Sequence, residues 1–481
     1  MTAFTPTPEQ LAIVAAARDT QDNLLISALA GAAKTSTLVL IAEALPGVNT
    51  LCLAFNKRIA DEMKTRLPAN CTSQTLNSLG HRAWASAIPV RLRLDTKKTY
   101  NLFQEEIASF PEDSRKPLWD NFGFILSQVQ GAKSAGHLPD EIALARPKNT
   151  RLIDDAELYD TLDETPTEDE WAMILRILSR SAELAFEGVI DFADQLLMPT
   201  IFRAPFPIFS LILVDEAQDL SELNHAMLAK IYRRRIIAVG DACQAIYAFR
   251  GAHEDSMALL AKRFSMRELT LSCSFRCPKA IVRHVNWRAP HMRHWPNNPH
   301  AGLVTRAGPW NIASLPDSCA IICRNNAPLF SLAIAILRSG RYPNLWGNDI
   351  GRGLIKILGK LGPAQLPQAE AIAHLNSWHN EQSRRQRSKR VLRDKYECLR
   401  IFIEAAPTLG ASITYAEELL RSSGNIDLLT GHKSKGHEWE HVYFLDEHLV
   451  GDEGQEPNLR YVIATRSLRT LTYINSSERN I

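Results

Sequence analysis

Short, unbroken apolar runs alternate along this chain with longer segments in which apolar residues recur at helical spacing. Runs of the first kind lie at 23–26, 50–55, 211–214 and 236–239. They are typical of strands buried on both faces of a parallel sheet, and the segments between them are typical of the helices that cover such a sheet. The pattern therefore predicts an α/β fold.

Two stretches are predicted to be mainly helical. From about 90 to 200 the pattern changes to helices, and residues 171–186 carry strong apolar periodicity after an acidic cap at 167–170. We interpret this stretch as a helical insertion in the first α/β domain. A shorter helical insertion without a glycine-rich linker is predicted at about 355–425.

Length and composition bound the class of protein. At 481 residues the chain is too long for one hydrophobic core, so about two to four domains are expected. Composition is ordinary for a globular protein, no apolar run is long enough to span a membrane, and no signal-peptide pattern is present. We therefore expect a cytoplasmic protein with no membrane partner.

Charge and cysteine content narrow the class further. The net charge is only +2, so a nucleic-acid partner would have to be held by local basic patches. Eight scattered cysteines do not make a secreted disulfide framework. The pairs Cys273/Cys277 and Cys319/Cys323 have a spacing that zinc sites use, but Cys323 ends an apolar run and Cys277 precedes a proline. The sequence therefore does not favour zinc.

The stretch 27–36 has the layout of a phosphate-binding loop. It follows the strand at 23–26, is rich in small residues, ends in Lys34-Thr35-Ser36 and leads into a helical segment at 37–45. In such a loop backbone N–H groups surround phosphates, the lysine reaches terminal phosphate oxygens and the threonine hydroxyl ligates Mg²⁺. An alanine-rich helix start that happens to end in Lys-Thr is the alternative.

Ala33 is the unusual residue of this loop. Its position often requires a positive φ, and an L-residue held there costs about 1–2 kcal/mol. Ala33 therefore puts nucleotide affinity in question.

Acidic and amide side chains follow two of the predicted strands. Asp215 and Glu216 come directly after 211–214, and Gln244 follows 236–239. Ligands of open α/β folds bind at the carboxyl ends of the strands. There Asp215 would hold Mg²⁺, Glu216 would take a proton from the attacking water, and Gln244 would sense a γ-phosphate.

Three other segments have polar or aromatic side chains whose role depends on where they lie in the fold. Gln10, after a helix start at Thr7-Pro8, is either a solvated surface residue or an amide that clamps adenine. Residues 72–80 are rich in hydroxyls and amides that suit phosphate contacts, although a surface loop fits their composition better. Tyr247, Phe249 and Arg250 suit stacking of unpaired bases, although aromatic residues near a sheet are more often core.

Taken together, these segments resemble the superfamily 1 helicases of the UvrD/Rep type, particularly shorter phage and bacterial members and the helicase part of the F-box DNA helicase. The likeness continues through 271–276, 320–327, 431–440 and 458–466, and it covers most of residues 4–475 in the family's order. One motif alone carries a real risk of being a false match. The probability that so many segments agree by chance in the same order is negligible by comparison.

The resemblance implies two RecA-like P-loop domains, 1–275 and 276–481, with ATP and Mg²⁺ bound between them. It implies a 3′-to-5′ DNA helicase of replication, repair or recombination in a bacterial or phage-infected cell. Its partners would be single-stranded DNA, single/double-strand junctions and replication or recombination proteins.

The resemblance also assigns residues. The catalytic residues would be Lys34, Glu216, Gln244, Arg276 and Arg466. The nucleotide would be bound by Gln10, Ala30, Gly31, Ala32, Ala33, Lys34, Thr35, Ser36, Phe275 and Glu438, and Mg²⁺ by Thr35 and Asp215. DNA would be bound by Asn56, Thr75, Asn77, Tyr247, Phe249, Arg250, His432 and Trp439.

The chain departs from the family at a few positions and leaves two functional alternatives. Ser36 stands where several members have an arginine, Leu76-Asn77 replaces Phe-His, and Phe249 replaces a tryptophan. The basic run at 384–390 is either a solvated face or a contact to duplex phosphates. The alternatives to a helicase are a DNA-dependent ATPase that remodels protein–DNA or recombination intermediates without processive unwinding, and a non-hydrolysing nucleic-acid-binding module.

Overall fold

The computed structural model describes residues 5–145, 153–160, 165–202, 204–248, 251–253, 255–385 and 389–480. It divides into two compact units, unit 1 up to Ser272 and unit 2 from Cys273. Phe249, Arg250 and the segment 386–388 of the basic run lie outside the described residues.

Unit 1 is built around a parallel sheet with strand order β3-β2-β6-β7-β1-β8. Its strands, with the short pair β4 and β5, are β1 Leu24–Ala28, β2 Thr50–Leu53, β3 Cys71–Gln74, β4 Arg93–Leu94, β5 Val189–Ile190, β6 Leu211–Val214, β7 Arg235–Gly240 and β8 Arg267–Leu271. Because β6, β7 and β1 are neighbours and run in one direction, the residues that follow them meet at one edge of the sheet.

Helices cover this sheet and fill the segment between β3 and β6. They are α1 Pro8–Asp19, α2 Lys34–Ala44, α3 Lys57–Arg66, α4 Leu76–Ala87, α5 Lys98–Glu106, α6 Glu112–Asp120, α7 Phe122–Ala135, α8 Asp140–Ala145, α9 Asp155–Asp160, α10 Glu168–Phe186, α11 Asp194–Ile201, α12 Glu222–Ile231 and α13 Ser256–Arg263. The capping boxes of Thr7 with Gln10 and of Thr167 with Glu170 start α1 and α10.

The interpretation of residues 72–80 as a surface loop is wrong. They belong to β3 and the first turns of α4, and Ser73 and Gln74 are buried. Pairing of β3 with β2 determines the structure here, because sheet formation depends more on packing than on the polarity of individual residues.

Unit 2 contains a second parallel sheet, with strand order β11-β16-β15-β12-β14-β13. The strands of the unit, with the short pair β9 and β10, are β9 Cys273–Ser274, β10 Arg293–His294, β11 Leu303–Arg306, β12 Cys319–Cys323, β13 Pro343–Leu345, β14 Ile426–Thr430, β15 Trp439–Leu445 and β16 Ser467–Ile474. Its helices are α14 Lys279–His284, α15 Asn326–Arg338, α16 Asn348–Leu361, α17 Gln368–Arg385, α18 Lys389–Glu404, α19 Leu409–Arg421, α20 Gly431–Ser434 and α21 Glu456–Ala464.

The two parallel sheets confirm the predicted α/β class. The helices of the stretch at 355–425 are part of the core of unit 2, because Leu375 and Phe402 pack in the same apolar cluster as Ile321 of β12. In the described part of the chain, no helix combines the length and apolarity that crossing a membrane requires.

A buried cluster of charges joins the helices of unit 1. Lys133 Nζ donates to Asp191 Oδ2 at 2.7 Å and to Asp194 Oδ1 at 2.8 Å, and Lys98 Nζ donates to Asp194 Oδ2 at 2.5 Å. Burial alone would raise the pKa of Asp191, but the charge and hydrogen bond of Lys133 outweigh it and lower that pKa to about 2. The cluster's stabilising contribution from Asp191 is therefore present above about pH 4 and is lost as the pH falls towards 2.

We predict that Lys133→Met destabilises the protein by about 3–5 kcal/mol, because two buried carboxylates would keep only Lys98 as a cation. Urea unfolding measures this loss. Arg180→Met is the matched control: it removes an exposed ion pair with Glu183, worth less than about 1 kcal/mol. Equal, small losses in both variants would contradict a stabilising role for the cluster.

Candidate functional site

The loop between β1 and α2 has the backbone of a phosphate-binding loop. Gly31 has φ 73°, and Ala33 has φ 57° and ψ 44°, so both lie in the left-handed region. Ala30 and Ala32 are buried, and Ala32 N donates to Leu29 O at 3.1 Å to close the turn. The positive φ expected at Ala33 is therefore present, and this alanine carries backbone strain of about 1–2 kcal/mol.

Lys34 and Thr35 contact the two acids that follow β6. Lys34 Nζ lies 3.5 Å from Glu216 Oε1, and Thr35 Oγ1 donates to Asp215 Oδ2 at 2.8 Å. The structure thus brings together four of the predicted site residues at one sheet edge.

Asp215 is buried, and its neighbours shift the pKa of its carboxyl group. Burial and then the adjacent Glu216 carboxylate raise the pKa of Asp215 to about 6, while Lys34 and the Thr35 hydroxyl oppose that shift. Its second oxygen, Oδ1, accepts from Glu216 N at 2.9 Å. A buried carboxylate with a raised pKa beside a lysine is typical of a functional site.

Gln218 connects the acids of β6 with the segment after β7. Its Nε2 donates to Glu216 Oε2 at 2.5 Å, and its Oε1 accepts from Asp241 N at 2.9 Å. Gln244 Nε2 donates in turn to Asp241 Oδ2 at 2.6 Å. A Cβ at Gly240 would lie 2.6 Å from Gln218 Oε1, so the network leaves no room for a side chain there.

Sequence reasoning missed Gln218 and Asp241. A signal for Asp241 was available, since it follows β7 as Asp215 follows β6. Burial raises the pKa of Asp241, and the charge of Lys34 opposes this. Gln218 had no comparable signal, because its role depends on the register of β6 against β7.

Gln10 is not a surface residue, so that alternative is wrong. Its side chain is 0% exposed, Oε1 accepts from Thr7 N at 2.9 Å, and Nε2 donates to Thr37 Oγ1 at 2.9 Å. Gln10 therefore ties the start of α1 to α2, and adenine binding by its amide stays a prediction.

Ser36 is contacted by an arginine from another helix. Arg66 at the end of α3 donates from Nη2 to Ser36 Oγ at 2.9 Å. A guanidinium therefore lies beside this loop even though position 36 itself is a serine.

Three of the predicted DNA-binding residues of unit 1, Asn56, Thr75 and Asn77, lie after β2 and β3. Asn56 Oδ1 accepts from Ile59 N and Thr75 Oγ1 accepts from Ser78 N, so both cap helices. Asn77 Nδ2 donates to Phe192 O at 2.7 Å. All three predicted residues thus have structural contacts, and DNA binding by them stays a prediction.

An aromatic pair near these residues was only partly predicted. Tyr247 is stacked on Phe55, with ring centroids 5.9 Å apart and planes 7° from parallel, and Phe55 is 43% exposed. A cleft of about 110 Å³ is lined by Phe55, Asn77 and Asp215 among others. The aromatic pair therefore adjoins the acidic end of β6.

In unit 2, four predicted residues make three sets of local contacts. Arg276 Nε lies 2.5 Å from Glu438 Oε2, and the Phe275 ring lies 4.7 Å from the ring of Trp295. Arg466 is buried and donates to Val462 O and His437 O, both in unit 2. Burial and then the charge of Arg276 lower the pKa of Arg466 to about 10.

The last two predicted DNA-binding residues are partly buried in unit 2. His432 lies in α20, and Trp439, the first residue of β15, donates from Nε1 to Asp427 Oδ2 at 2.7 Å.

The UvrD/REP helicase N-terminal domain matches residues 7–265, more than half of the chain. The chain belongs to the UvrD/REP helicase family. The matched segment contains the predicted phosphate-binding loop, the acids after β6 and the amide network after β7.

Curated members of this family resemble the chain over different lengths. F-box DNA helicase protein 1 of Schizosaccharomyces pombe is 24% identical over an alignment of 513 positions, which covers 97% of this chain and 57% of that protein. DNA helicase IV of Escherichia coli is 28% identical over 274 residues, 48% of this chain and 40% of that protein. The ATP-dependent DNA helicase Rep of Escherichia coli is 28% identical over 130 residues, 25% of this chain and 18% of that protein. The chain thus spans little more than half the length of the first of these relatives and less of the others.

We predict that Ala33→Gly stabilises the protein by up to about 1 kcal/mol, because relief of left-handed strain exceeds the entropy lost by glycine. Thermal unfolding measures the shift. Ala12→Gly, at an exposed position inside α1, is the control and should destabilise by about 0.5–1 kcal/mol. A loss in both variants would show that Ala33 is not strained.

Proposed function

We propose that this chain is an ATP-dependent DNA helicase that translocates along single-stranded DNA from 3′ to 5′, and that its two units are RecA-like motor domains. One observation carries the proposal: the contacts of Lys34 and Thr35 with Glu216 and Asp215 at the shared edge of β1 and β6. Family membership supports it, as do relatives that are named as DNA helicases.

The chemistry of ATP hydrolysis follows from these side chains. Backbone N–H groups of the loop and the N-terminus of α2 surround the phosphates, and the Lys34 ammonium neutralises the transferring phosphoryl group. Glu216 accepts a proton from the attacking water, and Gln218 holds the orientation of its carboxylate through the hydrogen bond to Oε2.

The donor set at Thr35 and Asp215 fits Mg²⁺. Mg²⁺ prefers hard oxygen ligands and usually binds only one or two from the protein, while phosphates and water complete its coordination shell. The Thr35 hydroxyl oxygen and the Asp215 carboxylate oxygen, 2.8 Å apart, are ligands of this kind. When bound, Mg²⁺ would supply charge neutralisation at the phosphate oxygens. Asp215 must be ionised for this, which its pKa of about 6 permits at neutral pH.

Binding of single-stranded DNA is supported by the surface around Phe55. The Phe55–Tyr247 pair offers aromatic area for base stacking, and Asn77 lines the same cleft as Phe55 and Asp215. Nucleic acid at this surface would therefore contact residues that adjoin the hydrolytic acids. For Arg276 and Arg466 the catalytic role stays a prediction that rests on their motifs.

One observation favours a translocase that unwinds weakly. The helices α17 and α18 pack one face into the core of unit 2, so only their outer faces are available for gripping a duplex. We therefore propose strong single-strand-stimulated hydrolysis and limited strand separation.

We predict that Lys34→Ala lowers ATP turnover by at least about 100-fold and leaves the Kd for single-stranded DNA nearly unchanged, because Lys34 acts on phosphates. Phosphate release and fluorescence anisotropy measure the two effects. Lys64→Ala, which removes an exposed lysine paired with Asp61, is the control and should keep wild-type turnover. Turnover retained by Lys34→Ala would place the phosphate site elsewhere.

We further predict that single-stranded DNA stimulates hydrolysis more than RNA does, and that short duplexes with a 3′ tail are separated while those with a 5′ tail are not. Weak unwinding should be lost as salt rises, because phosphate contacts release counterions. Stimulation without separation would support the remodelling ATPase instead. Hydrolysis indifferent to DNA would refute a DNA-driven motor.

A further inference from the structure

Asp427 in β14 accepts hydrogen bonds from three side chains that converge on it. Asn344 Nδ2 and Trp346 Nε1 donate to Oδ1 at 2.7 and 2.8 Å, and Trp439 Nε1 donates to Oδ2 at 2.7 Å. Hydrogen bonds to an ionised acceptor are stronger than neutral ones, so this carboxylate fixes the orientation of both indoles.

The two indoles and a histidine form one aromatic group. The ring centroid of Trp346 lies 4.7 Å from that of His437 and 5.9 Å from that of Trp439, and the His437 and Trp439 centroids are 6.0 Å apart. All three side chains are partly exposed. Asp427 accepts hydrogen bonds from both indole N–H groups. The part of each tryptophan that remains available to a ligand is therefore the surface of its ring.

A cationic side chain contacts this aromatic group. Lys433 Nζ donates to Trp346 O at 3.0 Å, and Gly347, with φ 132°, admits the ammonium because a Cβ there would lie 2.1 Å from it. Asn344, which donates to Asp427, also lines an open cleft of about 690 Å³ with Arg352, Arg421 and Glu417, and Arg421 lies 3.6 Å from Glu417 in an ion pair. Ring surface beside the Lys433 ammonium suits a nucleic-acid strand whose bases are unpaired.

Simple core packing does not account for this group. Trp310 shows what a core tryptophan of unit 2 looks like: it is 6% exposed and packs in the apolar cluster with Ile321. Trp346 and Trp439 instead stay partly exposed and are oriented by a carboxylate.

We propose that Trp346, His437 and Trp439 form a stacking platform for an unpaired base of single-stranded DNA, and that Asp427 is its positioning residue. The inference rests on the proposed function, because it takes the translocated strand as the ligand. It adds Trp346 and Asp427 to the DNA-binding residues, of which the sequence indicated Trp439.

The test measures binding of the full chain to a labelled oligothymidine of about 16 nucleotides by fluorescence anisotropy. Trp346→Ala should weaken binding by about 5-fold to 100-fold, the range for loss of one stacked base. Trp346→Phe should bind more tightly than Trp346→Leu at equal stability to urea, because only phenylalanine keeps an aromatic face. Tyr342→Ala removes a ring that is 67% exposed four residues earlier, and this control should bind as wild type does.

The role of Asp427 has its own measurement. Asp427→Ala should weaken binding and reduce the quenching of tryptophan fluorescence by the oligonucleotide. The Asp427→Ala/Trp346→Ala double variant should bind little worse than Trp346→Ala, because the carboxylate acts through the ring. Additive losses would overturn the positioning role.

The outcomes separate this inference from the proposed function. If the wild type binds the oligonucleotide and Trp346→Ala binds equally well, the platform is refuted and the helicase proposal stands. If Trp346→Ala does not fold, equal affinities of the phenylalanine and leucine variants refute the platform in the same way. A wild type that does not bind single-stranded DNA overturns both.

Discussion

The hydrogen bond from Thr35 Oγ1 to Asp215 Oδ2 joins residues that are 180 positions apart. Asp215 is 3% exposed, and a buried carboxylate is tolerated only where donors satisfy it. Thr35 in the first turn of α2, which follows β1, and the N–H of Glu216, which follows β6, are those donors. The strands β1 and β6 must therefore lie close together, with only β7 between them. The long helical segment between β3 and β6 must therefore carry the chain back to the amino edge of the sheet, so that β6 runs parallel to β1 and ends at the same edge.

Two of the four non-glycine residues with positive φ in the described part of the chain lie at the same edge. Ala33 precedes Lys34 and Glu216 follows Asp215, and both have positive φ although neither is glycine. Strained residues persist where the surroundings determine their conformation strongly, and such places are often functional sites. Glu216 is held by Gln218 and faces Lys34, so its carboxylate keeps one orientation. The strain is thus associated with side chains placed for chemistry.

Local features of the chain were predictable and long-range networks were not. The strand at 211–214 and the start of α1 at Pro8 were read correctly, because apolar runs and capping residues act through near neighbours. The residues at one sheet edge were predictable as well, since parallel strands place their following residues together. The Lys98–Lys133 cluster and the role of Gln218 depend on how distant helices and strands pack, and no spacing in the sequence encodes that.

The two sheets place acids in different chemical settings, and this decides what each is suited to bind. In unit 1, Asp215 accepts from a hydroxyl and a backbone N–H, so its oxygens suit a hard cation, and the nearby lysine suits phosphates. In unit 2, Asp427 is occupied by an amide and two indoles, so it orients aromatic rings. In the proposed motor, the same residue type would therefore serve a nucleotide in one sheet and a nucleic-acid strand in the other.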